Sequence, residues 1–274
     1  MSISIEFKSD LEYNYDSKCE VLKMKVWYMN GAGNDFAVVD ARNMSFDMRS
    51  TAKELCEKQG CDGFMALDNS NIADFKLHFY NRDGSRAEMC GNGARCICRF
   101  AYDNGIAGEK MTVETDAGRL CGERVSDNVY SVKLNTPQNI VLEKREGVDY
   151  AVVGVPHAVI ELENIGLYSR DELFAWARVL REELDANVNF YSVLDRNTVK
   201  ILTYERGVED FTLACGTGSG AVTAILWCRG KLESCTLNVE NQGGTLKVTV
   251  KAENNSIAAL YLEGNADVDG IYEY

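Results

Sequence analysis

The chain has 274 residues, 46% of them apolar, and its 29 basic and 42 acidic side chains give a net charge of −13. So negative a surface repels phosphate backbones and excludes nucleic acid as a natural partner. No apolar run approaches the roughly 18 residues of a membrane span, and Met1 to Asp10 has neither the basic nor the apolar stretch of a signal peptide.

The length favours two domains. Ten cysteines stand at irregular spacing with no Cys-x-x-Cys pair, and the only histidines are His78 and His157. That pattern lacks zinc-ligand spacing and makes a poor disulfide framework, so the expectation is a reduced, cytoplasmic protein without a metal site.

Residues 1–23 are mixed and acidic, with Ile3, Ile5 and Phe7 alternating as in a short strand. Residues 25–29 read as a strand, 30–35 as a tight loop and 36–39 as a buried strand. Residues 48–58 have helical spacing, 64–67 form a short apolar run, and Phe75, Leu77 and Phe79 alternate in a strand over 73–80. Asn81-Arg82-Asp83-Gly84-Ser85 turns the chain toward Cys90, and residues 91–102 read as a helix ending near Asn104-Gly105. Strands follow over 111–115, 119–125 and 129–134.

Residues 135–147 are polar, contain Pro137 and read as a boundary. The pattern then restarts with a strand over 150–155, after which Pro156-His157 opens the next piece. Ser169-Arg170-Asp171-Glu172 has the form of a capping box ahead of a helix through Arg181. Strands are expected over 187–194 and 198–204, a turn at Glu205-Arg206-Gly207, a helix over 216–228, and strands near Thr236, Lys247 and Ala259.

The restart is an internal repeat. Cys90 and Cys215 lie 125 residues apart, as do Gly105 and Gly230; Gly118 and Gly244, and Leu120 and Leu246, lie 126 apart. Helix, glycine stop, strand, glycine turn and strand recur in order, as expected of two divergent halves that face each other across a cleft. The expected division is an extension over 1–23, a first domain over 24–134 to which residues 262–274 return, and a second domain over 135–261.

Each repeat places a cysteine before Gly-x-Gly at a helix start: Cys90-Gly91-Asn92-Gly93 and Cys215-Gly216-Thr217-Gly218. The first N–H groups of a helix lack partners within it and carry partial positive charge, which suits an anion. A cysteine there is expected to have its pKa drawn down from about 8.5. Two such termini can hold one carboxylate with a sulfur on each side of the neighbouring carbon, the arrangement that inverting that carbon requires: one thiolate removes a proton while one thiol supplies another. The alternative is that both cysteines are small buried apolar residues. One motif alone leaves that alternative open, and two at matching repeat positions disfavour it. Cys96, Cys98, Cys228 and Cys235 are assigned to packing.

These motifs, with Asn30-Gly31-Ala32-Gly33-Asn34-Asp35-Phe36, Asn81 to Ser85, Pro156-His157, Asn187-Val188-Asn189-Phe190 and Tyr204-Glu205-Arg206-Gly207, resemble the diaminopimelate epimerase family, cofactor-independent epimerases of lysine and cell-wall biosynthesis. The resemblance runs from about Met24 to near the C-terminus. It implies two similar α/β domains, each a curved, mainly antiparallel sheet around a central helix, with the active site between them. It implies Cys90 and Cys215 as the base and acid pair, with His157 and Glu205 beside them. It implies that Asn34 contacts the reacting end of the substrate, and that Gly91, Asn92, Gly93, Gly216, Thr217 and Gly218 hold the α-carboxylate. Asn81, Asn187 and Arg206 then read the distal amino-carboxylate, where a guanidinium suits the carboxylate. No cofactor is implied; the partner is a small amino acid, and a homodimer is suggested by the family alone.

Two residues depart from the common family pattern: Val155 stands where asparagine precedes Pro-His, and Phe211 where glutamate is usual. They favour an alternative, a cofactor-independent racemase of another amino acid such as histidine, whereas Asn81, Asn187 and Arg206 favour diaminopimelate. An anion-binding module without chemistry is the rival from a different class.

Overall fold

In the computed structural model, the described residues are 24–87 and 90–274. The alternation at residues 3–7 lies outside them. The chain begins with a hairpin, β1 (Lys25–Gly31) and β2 (Asn34–Asp40), turned by Ala32 and Gly33, both at positive φ. Next come α1 (Met48–Gln59), capped by the Asp47 carboxylate, β3 (Gly63–Asp68), β4 (Phe75–Asn81) and the two-residue β5 (Arg86–Ala87). The first half closes with α2 (Gly91–Asp103), β6 (Lys110–Thr115), β7 (Gly118–Arg124) and β8 (Val129–Leu134).

After β9 (Gln138–Arg145) the same order returns: β10 (Val148–Val153), β11 (Val155–Glu161), α3 (Arg170–Leu184), β12 (Asn187–Asp195), β13 (Thr198–Glu205) and β14 (Asp210–Thr212). Then follow α4 (Gly216–Cys228), β15 (Thr236–Asn241), β16 (Gly244–Glu253), β17 (Ser256–Asn265) and finally β18 (Asp267–Glu273). The capping box at Ser169 and Glu172 forms as its sequence pattern requires.

The ladders repeat as faithfully as the elements. β1–β2 and β10–β11 are antiparallel, while β2–β3 and β11–β12 are parallel. β3–β4 and β12–β13 are antiparallel, and β4–β6 and β13–β15 parallel. Two mixed sheets therefore wrap two helices. α4 is apolar on every side, which is the pattern of a helix buried all round, and in α2 the run from Gly91 to Cys98 is buried.

The halves are joined by strands. β8 pairs antiparallel with β17, so the two sheets are continuous. β9 leaves the first half to pair with β10, and β18 leaves the second to pair with β1. β9 occupies the polar segment read from sequence as a boundary; seven of its eight side chains are exposed, so it shows no alternation to read. The strand expected to run to Val155 ends instead at Val153, because Gly154 at φ 73° turns the chain. The piece that Pro156-His157 opens is therefore β11, which begins at Val155 and holds His157.

The tip of the first hairpin is wedged into the second half. A Cβ on Gly243 would lie 2.1 Å from the Ala32 carbonyl oxygen, and the Gly243 N–H donates to the Leu213 carbonyl at 2.7 Å. Gly243→Ala must push the Asn34 hairpin aside, with an expected loss of about 1–3 kcal/mol. Urea unfolding measures it, and an unchanged midpoint would show that the hairpin is not fixed by this contact.

Candidate active site

The ends of α2 and α4 meet. A Cβ on Gly91 would lie 3.8 Å from the Gly216 Cα, and one on Gly216 would lie 3.7 Å from the Gly91 Cα and 2.6 Å from Leu262 Cδ2. Leu262 is what excludes a side chain at Gly216 and crowds one at Gly91, where a Cβ would lie 3.1 Å from the same Cδ2. Cys90 and Cys215 are the capping residues of these ends, both with extended backbone. The Cys90 side chain makes no capping hydrogen bond, but the N–H groups of Asn92 and Gly93 favour its thiolate. The Gly218 N–H donates to the Cys215 sulfur at 3.3 Å, and the Thr217 hydroxyl lies 3.4 Å from it.

Burial nevertheless pushes both thiols up from their ordinary pKa, Cys215 furthest. This corrects the expectation of thiols lowered by the helix ends. Those N–H groups oppose the rise, but loss of water outweighs them. Glu205 adds to it: its charge raises both thiols. Its own carboxyl is pushed up by burial, opposed by hydrogen bonds from the Thr212 hydroxyl at 2.6 Å and from Cys215. Carboxyl and thiol in contact, each reluctant to ionise, titrate as one system.

His157 is fully buried. Its Nδ1 accepts from the Asn189 amide at 3.1 Å, and its Nε2 has no partner. Burial pushes its pKa down to about 3. Asn189 also donates to the Ala158 carbonyl and accepts from the Thr203 hydroxyl, and a Cβ on Gly218 would strike its oxygen. Asn189 and Thr203 therefore orient the imidazole and seat the start of α4. Asn189 lies two residues after Asn187 on one strand, so alternation puts both on one face; that signal was available in the sequence.

Asn34 and Asn92 tie the first hairpin to α2. The Asn92 amide donates to Asn34 Oδ1 at 2.7 Å and to the carbonyl of Ala214, the residue before Cys215, at 3.2 Å. Asn34 donates in turn to Asp62 at 3.1 Å. Beneath Asn92 lies Arg95, wholly buried, with no carboxylate among the described residues in ion-pair range. Its guanidinium donates to Asn92 Oδ1, to the Gly91 carbonyl and to the Asn265 carbonyl. Arg95 and Asp62 are contributors that reading motifs for substrate contacts did not single out.

The residues expected to read the distal end are less tightly drawn in. Asn81 closes β4 and donates to the Ser85 hydroxyl. The Asn187 side chain accepts from the Arg206 N–H at 2.8 Å, and the Arg206 guanidinium pairs with Asp185 at 2.9 Å. Phe211 packs against Phe174 and Tyr204, on the opposite face of β14 from Thr212, which bonds Glu205. Its departure from the common pattern therefore points toward α3 and away from the thiols. Val155 opens β11 as Asn34 opens β2. Among the described residues no His, Cys, Asp or Glu cluster is arranged for a metal.

A model of diaminopimelate epimerase matches residues 26–139 and 150–268. The chain belongs to the diaminopimelate epimerase family. It is 37% identical to the diaminopimelate epimerase of Aquifex aeolicus over 81% of its own length and 88% of that protein, and 32% identical to that of Flavobacterium psychrophilum over 89% and 97%. Among solved structures, it resembles a phenazine biosynthesis protein of the PhzF family from Bacillus anthracis (TM-score 0.71, 17% identity, covering 92% of this chain and 99% of that one). It also resembles a probable proline racemase from Agrobacterium radiobacter (TM-score 0.65, 15% identity, covering 92% of each). At such identities these two speak for the fold alone: two repeated α/β domains with curved sheets.

Two outcomes follow from the family site's buried groups. Lysine cannot reach the three acceptors of the Arg95 fork, so Arg95→Lys is expected to lower stability by about 1–3 kcal/mol and to raise KM by loosening Asn92; unaltered unfolding and KM would remove Arg95 from this role. For His157, the unfolded chain takes up a proton below about 6.5 that the folded chain refuses down to about 3. Stability is fully present above that window and falls as pH drops through it, by about 1.4 kcal/mol per pH unit. His157→Gln should show a flatter pH profile of unfolding.

Proposed function

We propose that this chain converts LL-diaminopimelate to meso-diaminopimelate, without a cofactor, in lysine and peptidoglycan-precursor biosynthesis. The observation that carries the reading is the meeting of two cysteine-capped helix ends at Gly91 and Gly216. The substrate carboxylate lies against the N–H groups of Asn92, Gly93, Gly216, Thr217 and Gly218, where partial positive charge also receives the negative charge that develops as the α-carbon is deprotonated. One sulfur, as thiolate, removes the α-proton while the other, as thiol, protonates the opposite face. Their roles exchange with reaction direction.

Burial holds both thiols protonated at rest, so a thiolate must be generated. Glu205, in contact with Cys215 and with a raised pKa of its own, accepts that proton. His157, kept neutral, carries an Nε2–H donor on its free side. Arg206, Asn81 and Asn187 bind the distal amino-carboxylate, the guanidinium turning from Asp185 to the substrate carboxylate as a stronger, bidentate partner.

The chemistry needs both thiols reduced, which fits a cytoplasmic site. β18, paired only with β1 among the described strands and carrying exposed Ile271 and Tyr272, suits a homodimer contact.

Val155 favours a second reading, a racemase of another amino acid such as histidine, because the second hairpin lacks the amide that the first presents. Assay of an amino-acid panel separates the two. For the first reading, solvent deuterium should enter the α-carbon of LL-diaminopimelate under reducing conditions. Cys90→Ala and Cys215→Ala should each lower epimerisation by about 100-fold or more. Full turnover in either variant would falsify the paired-thiol mechanism.

A further inference from the structure

A second pair of thiols meets away from the helix ends. Cys56 lies in the last turn of α1, and Cys61 follows Gly60, whose φ of 77° ends the helix. Their sulfurs share a hydrogen bond at 2.9 Å. Cys56 is wholly enclosed, whereas Cys61 forms part of the wall of a cavity of about 220 Å³ with Tyr28, Asp35, Gln59, Asp269 and Tyr272. Gln59 and Tyr272 are exposed, so a small solute reaches the cavity from solvent.

The two sulfurs are unlike. The Cys61 thiol donates to the Cys56 sulfur, and this contact together with burial pushes Cys56 up, so the two titrate as a pair. Cys61 is the sulfur that faces the cavity, with Cys56 directly behind it, so a solute meets Cys61 first and its thiolate is the attacking form.

The next residue, Asp62, fastens both edges of the first-half site. Its N–H donates to the Asp35 carbonyl at 2.8 Å, and its carbonyl accepts from the Arg82 N–H at 3.1 Å, beside Asn81. Its carboxylate accepts from the Asn34 amide at 3.1 Å and from the Asp35 N–H at 3.2 Å.

We propose that Cys61 and Cys56 form a redox-active pair that peroxide closes to a disulfide, and that closure loosens the hold of Asp62 on the Asn34 hairpin. The Cys61 thiolate attacks peroxide: an S–O bond forms, the O–O bond breaks and hydroxide leaves, taking a proton to become water. The Cys56 sulfur then displaces the sulfenic hydroxyl: the S–S bond forms, the S–O bond breaks, and the Cys56 proton leaves with that oxygen as a second water. Two thiols give up two electrons, and one peroxide becomes two waters. An effect on substrate rests on the proposed epimerase site; formation of the disulfide does not.

The test uses the full chain carrying Cys90→Ala and Cys215→Ala, which cannot form a disulfide between the helix ends. After treatment with hydrogen peroxide, free thiols are alkylated and the protein is digested without reductant. Trypsin cuts after Lys58, between the two cysteines. The expected product is therefore a disulfide-linked pair of peptides that dithiothreitol separates. Complete alkylation of Cys56 and Cys61 after peroxide overturns the pair.

Hydrogen exchange over residues 30–36 should accelerate on oxidation, and unchanged exchange there overturns the link through Asp62. Diaminopimelate binding, read by calorimetry, should weaken roughly 2- to 10-fold, the scale of one lost hydrogen bond. Failure of the reduced, unsubstituted chain to bind diaminopimelate, with linked peptides and faster exchange both present in the variant, counts against the epimerase reading and supports the pair.

Discussion

Two helix N-termini directed at one another inside a protein create an electrostatic problem. Each carries N–H groups without helical acceptors and a partial positive charge, and Gly91 and Gly216 bring the two so near that a Cβ on either would touch the Cα of the other. Such a pair is tolerable where acceptors lie between the ends, and here the Cys215 sulfur accepts from the Gly218 N–H while the Cys90 sulfur lies beside the other end. The rest of the fold serves this junction. The helices are enclosed by repeated sheets, the β8–β17 pairing makes those sheets continuous, and Leu262 on β17 fills the space beside both glycines.

That junction is also dry, and dryness sets the chemistry. The helix ends favour thiolate while loss of water disfavours it, and burial wins at both sulfurs. A site built only to hold thiolates would place a cation beside them. The buried cation here, Arg95, spends its donors on oxygen atoms of Gly91, Asn92 and Asn265, so its contribution is mainly to shape. The carboxyl of Glu205 stands against Cys215 instead. The arrangement keeps the proton of Cys215 beside a carboxyl that is itself reluctant to ionise.

The helices and most strands were legible in the sequence because their faces differ in polarity and glycines or caps mark their ends. The two cysteine helices read clearly, since Cys-Gly-x-Gly supplies both the capping residue and the close-contact glycine. β9 was hidden because its side chains are exposed and carry no alternation. Gly154 was hidden within an apolar run, so the strand was carried on to Val155, and Pro156-His157, read as opening the next piece, stands inside β11. The direction of the thiol shifts was misread for a different reason: the sequence reveals the helix terminus but not the water lost when two termini meet. Asp62, Arg95 and Asn189 act through other residues, and a search for groups that touch substrate passes over them.

The repeat gives the site its frame and divergence gives it direction. Corresponding hairpins open on Asn34 in one half and Val155 in the other, and the corresponding ladders begin at Phe36 with Gly63 and at His157 with Asn187. The strands that follow end at Asn81 in the first half and at Glu205 in the second. The first half is thus furnished with amides linked to one another and to Asp62, and the second with a buried imidazole and a carboxyl. Symmetry places two sulfurs and two helix ends alike, as inversion of a carbon requires. Asymmetry makes their surroundings unequal: burial and the charge of Glu205 raise both thiols, but Cys215 further than Cys90. Two facing thiols can share one proton whether or not their surroundings match, so the unequal neighbours set which sulfur gives up its proton more readily.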